Sequence, residues 1–214
     1  MQMLIRAALF LLALACWCAS AATVVTKTLR QSGGDYATMA SWQSARARNL
    51  VSADECELLV IEGSWSVADT NFVDLTGWTT DASHWIAISN STSKHDGKRY
   101  GSASSAYRLE RTDGTCFQNQ TAWVRIYGLQ IAALNCTSFR YGYNGAGGAG
   151  TNLIKDCIFY GTSSGSGMWG ILPSSSETID IVNCLGHGMT NGYFIVGQGT
   201  TRIWNCTARG GNYG

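Results

Sequence analysis

The sequence predicts an all-β fold, a right-handed parallel β-helix (solenoid) with a short N-terminal capping helix. One observation is a pattern written four times: Val124-Arg-Ile-Tyr-Gly-Leu, Asn152-Leu-Ile-Lys-Asp-Cys, Ile179-Asp-Ile-Val-Asn-Cys and Thr201-Arg-Ile-Trp-Asn-Cys. Its third column is Ile126, Ile154, Ile181 and Ile203, spaced 28, 27 and 22 residues apart, within the period range of stacked-coil proteins. Two places on stand Gly128, Asp156, Asn183 and Asn205, residue types that tolerate a left-handed backbone. The other observation is composition. A single proline, 25 glycines and 14% charged residues suit many short strands joined by tight turns.

Residues 1–22 read as a signal peptide. Arg6 precedes an apolar run from Ala7 to Cys18, and Ala19-Ser20-Ala21 has the small-x-small pattern of a cleavage site. The run is short for a membrane span, which takes roughly 20 apolar residues. Ala13-Leu14-Ala15-Cys16 loosely resembles a lipidation site, and an uncleaved anchor is the other reading. The expectation is a secreted or extracytoplasmic protein without a membrane span after cleavage.

Residues 23–57 read as an N-terminal strand and capping helix. Thr23 to Leu29 is rich in β-branched residues, as strands are. Gly33-Gly34-Asp35 makes a turn and offers Asp35 as a helix cap. Ala37 to Arg48 is helix-friendly, with Met39, Trp42 and Ala45 on one face and Arg46 and Arg48 near the end that favours cations. Such a helix is expected to cover the apolar end of the coil stack.

Residues 58–214 read as coils, starting with strands at Leu58–Ile61 and Trp85–Ile88 and shorter alternations at Ser64–Val67 and Asn71–Leu75. A polar loop is expected from Ser89 to Ser105 and a turn at Asp113-Gly114. The glycine-rich tracts from Gly142 to Gly150 and from Gly161 to Gly167 read as loops bulging from the stack. Neither opens a helix with a Lys-Ser/Thr or spaced-glycine fingerprint, so phosphate cradling is not expected. The chain stops in the middle of what is expected to be a further coil, so the coils are expected to be incomplete at the C-terminus.

With Arg6 removed, 14 basic and 14 acidic residues remain, which argues against nucleic acid, a partner chosen by bulk charge. Cys157, Cys184 and Cys206 share one column. Equivalent positions on neighbouring strands lie about 4.8 Å apart with parallel side chains, farther than the roughly 3.8 Å between Cβ atoms that a disulfide prefers. A buried stack of free thiols is expected, with Cys56, Cys116 and Cys136 open either way. His84, His95 and His187 read as surface or turn residues. With no His-x-x-x-His or Cys-x-x-Cys spacing, neither a metal site nor a cofactor is expected.

The turn column Asp156, Asn183 and Asn205 looks like the asparagine ladder of right-handed parallel β-helices. The opening Gly34-Asp-Tyr-Ala-Thr-Met39, followed by Leu59-Val-Ile-Glu-Gly-Ser-Trp65, is similar to the capping segment of pectinesterases. On these residues the chain resembles the pectin-lyase-like superfamily. That resemblance implies a β-helix and, for its enzymes, catalytic acids clustered on one face with an arginine. No such cluster can be placed here. Glu177 and Asp180, three apart at a strand entrance, are the only candidates for a general acid/base pair, and glycoside hydrolysis needs two carboxyls flanking one bond.

If the isoleucines point inward, their neighbours face out. One outward row is Arg125, Leu153, Asp180, Arg202, and the other Tyr127, Lys155, Val182, Trp204. Arg125, Tyr127, Lys155, Arg202 and Trp204 could lie against sugar rings by stacking and charge-assisted hydrogen bonds, although aromatic and β-branched residues also simply favour strands. Asn90, Asn119, Asn135 and Asn205 open glycosylation sequons. The function expected is a surface or extracellular binding or structural module contacting polysaccharide or a cell-surface glycan. The alternative is a polysaccharide-active enzyme: a pectate or pectin lyase, glycoside hydrolase or pectinesterase.

Overall fold

The computed structural model describes residues 21–91, 105–148, 150–163, 167–189 and 192–211. Within them the chain is predominantly β, with three parallel sheets. The first holds seven strands side by side: β1 (Thr23–Leu29), β2 (Glu55–Ile61), β4 (Ile86–Asn90), β7 (Val124–Tyr127), β10 (Thr151–Lys155), β13 (Thr178–Val182) and β15 (Thr200–Trp204). The second runs β5 (Leu109–Thr112), β8 (Gln130–Cys136), β11 (Ile158–Ser163), β14 (Leu185–Met189) and β16 (Thr207–Gly211). The third runs β3 (Val73–Leu75), β6 (Phe117–Asn119), β9 (Arg140–Gly145) and β12 (Met168–Leu172). From β4 to β13 the chain visits the first, second and third sheets in rotation, so each strand pairs with its counterpart one circuit later.

Register in the first sheet follows the sequence pattern. Ile126 pairs with Ile154, Ile154 with Ile181, and Ile181 with Ile203. The first three are buried and join one apolar cluster with Leu129, Ile131, Phe159 and Tyr143. Each such burial is worth about 1.5–3 kcal/mol. Ile203 departs from expectation: it is 49% exposed, because no described strand lies beyond β15 to cover it.

The corner between the first and second sheets is built by the expected turn column. Gly128, Asp156, Asn183 and Asn205 have φ of +69°, +56°, +51° and +51°, a conformation that is costly for most side chains. Asn205 donates its amide to Asn183 Oδ1 (3.0 Å), Asn183 to Asp156 Oδ1 (2.7 Å), and Asn90 to the Gly128 carbonyl (3.1 Å). Just past the corner Cys157, Cys184 and Cys206 are free thiols, as are Cys56 and Cys116, and Cys136 is in no disulfide. Burial raises the Cys116 thiol to about 12. Contact with the Cys157 thiol pushes Cys184 up as well.

The helix expected from Ala37 to Arg48 is shorter, α1 (Met39–Arg46), and a further turn of helix follows, α2 (Leu50–Ala53). Thr38, not Asp35, caps α1: its hydroxyl accepts from Ser41 N at 3.1 Å. Asp35 instead accepts from the backbone and hydroxyl of Thr28, which holds its carboxyl below its usual range. Met39 and Trp42 are buried as expected. Ala45 is exposed and Gln43 takes the inner position, donating to Thr76 O and accepting from Trp78 Nε1.

Other expectations also shift. The glycine tract from Gly142 is not a bulge at its start, since Gly142 and Gly145 lie inside β9. A Cβ on Gly142 would stand 2.7 Å from the Gly170 carbonyl oxygen, so glycine there permits close strand approach. The second tract begins inside β11. Ser89 and Asn90 belong to β4 rather than to a loop. His187 is no surface residue: it lies in β14, 8% exposed, stacked on Tyr160 at 5.6 Å. His95 and residues 1–20 of the expected signal peptide lie outside the described residues. Among the described residues no helix is long and apolar enough to cross a membrane.

Candidate functional site

The outer face of the seven-stranded sheet carries the two rows expected from the sequence. Register aligns Arg125 with Leu153, Leu153 with Asp180 and Asp180 with Arg202. It likewise aligns Tyr127, Lys155, Val182 and Trp204. With strands about 4.8 Å apart, the second row runs roughly 14 Å across the sheet. Trp204 is 47% exposed and Lys155 is exposed.

The structure brings some of these groups to one another. Arg202 donates to Asp180 (2.5 Å), and its guanidinium carbon lies 5.8 Å from the Trp204 ring centroid. Arg125 lies 4.6 Å over the ring of Trp85, a cation–π contact that commits its flat face. The pair Glu177 and Asp180 is not brought together. Asp180 faces outward with Arg202, while Glu177 precedes β13 and is 1% exposed in the interior.

Glu177 sits in a buried network. Its carboxylate accepts from Tyr143 Oη (2.6 Å), Asn152 Nδ2 (2.7 Å) and the Ser174 amide (3.0 Å). Tyr143 in turn accepts from Asn119 Nδ2 at 2.9 Å. Burial raises the Glu177 carboxyl above its ordinary value against these hydrogen bonds, and raises the Tyr143 phenol well above its own. With three donors on its carboxylate and 1% exposure, Glu177 ties neighbouring strands together.

A cavity of about 610 Å³ near the start of β1 is lined by Asp54, Cys56, His84 and Trp85, among others. Thiol, imidazole and carboxylate are adjacent there, yet they do not form a nucleophile–base pair. His84 Nδ1 contacts Asp81 (2.8 Å) and its Nε2 contacts Asp54 (3.1 Å), while the Cys56 thiol donates to the Ser83 carbonyl (3.1 Å). Asp54, then Asp81, raises the imidazole above its usual value. Among the described residues no group of three or more His, Cys, Asp or Glu is arranged to hold a metal ion.

The outer side of the third sheet carries an aromatic cluster that the sequence reading missed. Trp169 of β12 pairs in register with Tyr141 of β9. Tyr141 and Tyr193 both meet its ring at 72°, with centroids at 5.7 and 6.3 Å, and Phe139 lies at 5.1 Å. Phe139 and Tyr193 are 47% and 39% exposed. A cavity of about 260 Å³ opens between Trp169, Tyr193 and residues 195–197. The same sheet presents a row of amides beside Asp74: Gln118 and Gln120 donate to Asp74 Oδ1 at 3.3 and 2.8 Å, and Asn144 to Gln118 at 3.5 Å. A signal for this face was present. Tyr141 and Trp169 are 28 residues apart, the step that separates Ile126 from Ile154.

No protein-family model matches the chain, and no curated protein matches it.

Proposed function

We propose that this protein is an exported right-handed parallel β-helix, closed at its N-terminal end by α1, that serves as an extracellular or surface binding module for polysaccharide. The rotation of the chain through three parallel sheets supports the coil stack, and the strong preference for right-handed crossovers supports its hand. The pectin-lyase-like resemblance and the signal-like N-terminus support the class and the location.

The observation that carries the binding reading is that exposed aromatic side chains are held on rigid sheet faces, while the acids that chemistry would need are committed elsewhere. Aromatic rings with a polar edge are the side chains that take up amphipathic ligands such as sugars. Glu177 is spent on Tyr143 and Asn152, and Asp180 on Arg202.

Electrophoresis of the full chain through gels containing pectin, polygalacturonate, xylan or galactan tests this. Retardation by at least one polymer is expected. Unretarded migration in all of them would remove the binding reading.

A further inference from the structure

We infer that the cavity walled by Trp169, Tyr193 and residues 195–197 is a subsite for one neutral pyranose ring of a glycan chain. This rests on the polysaccharide-binding reading and names the place and the sugar class. Its volume, about 260 Å³, falls below the roughly 300–1,000 Å³ of sites for drug-sized ligands. It matches a single ring with the rest of the chain outside.

The walls suit such a ring. Trp169 is fixed by two tyrosines packed at 72° to it, so the aromatic surface is ordered before a ligand arrives, which lowers the cost of binding. The exposed part of the Tyr193 ring, 39% of the residue's surface, offers an apolar face to the C–H face of a sugar. Hydrogen-bonding capacity is close by. Among the described residues neither the Tyr141 nor the Tyr193 hydroxyl bonds to a protein group, and the Trp169 indole N–H is a buried donor with no acceptor.

Charge selects for neutrality. The cation nearest in sequence on these strands, Arg140, is tied to Asp113: its Nε lies 2.8 Å from the Asp113 carbonyl and 3.2 Å from its carboxylate. Asp74, on the same sheet but three strands away on β3, already accepts from Gln118 and Gln120. A uronate or a nucleotide phosphate would enter without a counter-charge, whereas a neutral hexose needs none.

The test is affinity electrophoresis in galactan and in xylan, against polygalacturonate. It compares the full chain with Trp169→Ala, Trp169→Phe, Tyr193→Ala and, as an exposed control outside the cavity, Val67→Ala. Denaturation midpoints confirm folding, and Tyr193→Ala covers the case in which Trp169→Ala unfolds. The expected result is a neutral polymer bound by the native chain, tenfold or more weaker binding for Trp169→Ala, and severalfold weaker for Tyr193→Ala. Trp169→Phe should recover part of the loss, and Val67→Ala should match the native chain. Unchanged affinity in folded Trp169→Ala and Tyr193→Ala overturns the subsite and leaves the binding module standing. Binding to polygalacturonate alone overturns the neutral class. Sedimentation that changes with Tyr193→Ala while glycan affinity does not would make the cluster a contact between copies. Absence of binding to every polymer overturns both proposals.

Discussion

Asn183 holds a backbone at φ +51° while its side chain donates to Asp156 and accepts from Asn205. Asn183→Ala removes two hydrogen bonds, each worth about 1 kcal/mol, and puts a Cβ without compensation into a conformation costing about 1–2 kcal/mol. Loss of about 2–4 kcal/mol is expected from urea unfolding, with Asn183→Gly about 1 kcal/mol milder because glycine carries no strain there. Equal losses would mean that the turn conformation contributes nothing. His84 gives a pH dependence. Its pKa is raised in the folded protein by Asp54 and Asp81, so its contribution is complete below about pH 6.5, the ordinary histidine value. It fades as pH rises through the folded-state pKa. The difference in urea midpoint between the native chain and His84→Gln is therefore expected to shrink from pH 5.5 to pH 8.5. A difference that is constant or grows would contradict the assignment.

At the scale of elements, α1 is fastened to β2 by one buried acid. Glu57, fully buried, accepts from Trp42 Nε1 (3.1 Å) and from Arg46 Nε and Nη2 (2.8 Å each), and its Oε2 lies 3.0 Å from Arg48 Nη2. This pairing raises the Arg46 pKa. Removing one partner of a buried pair costs about 3–5 kcal/mol. Because both arginines keep some solvent contact, Glu57→Ala is expected to lose about 2–4 kcal/mol, read as a lower thermal midpoint. A change within 0.5 kcal/mol, typical of surface substitutions, would show that the helix is held by its apolar face alone. Strand register gives a second contrast. Ile181→Asp buries an unpaired charge and should cost several kcal/mol, whereas Val182→Asp, beside Lys155 and Trp204 on the outer face, should cost under about 1 kcal/mol. Equal effects would count against this register.

These elements also show what was readable beforehand. The inward isoleucines, the outward rows and the left-handed turns were legible because a repeated step writes the same environment several times. The grip of Glu57 on Arg46 and Arg48 was not, because tertiary pairing across a turn follows no sequence spacing. The aromatic cluster was obscured by glycine: Gly142 and Gly170 allow strands to approach closely, and that same glycine content reads as loop. The exposure of Ile203 depends on what lies beside β15, which its own sequence does not encode.

Across the whole molecule, regular residues build the scaffold and irregular ones face out from it. Isoleucines, asparagines and thiols fill the interior and the corners, while Trp169, Lys155 and Trp204 stand on outer sheet faces and Tyr193 packs against Trp169. Fold alone does not name an activity; the proposed binding role rests on Glu177 being held by Tyr143 and Asn152 and Asp180 by Arg202. The most direct measurement is the chain length of xylan, galactan and pectin after prolonged incubation with the full protein at a concentration that saturates binding. The account predicts polymers bound and recovered at their original length, with no new reducing or unsaturated ends. Shortened or unsaturated products, lost on Glu177→Gln or Asp180→Asn, would contradict it.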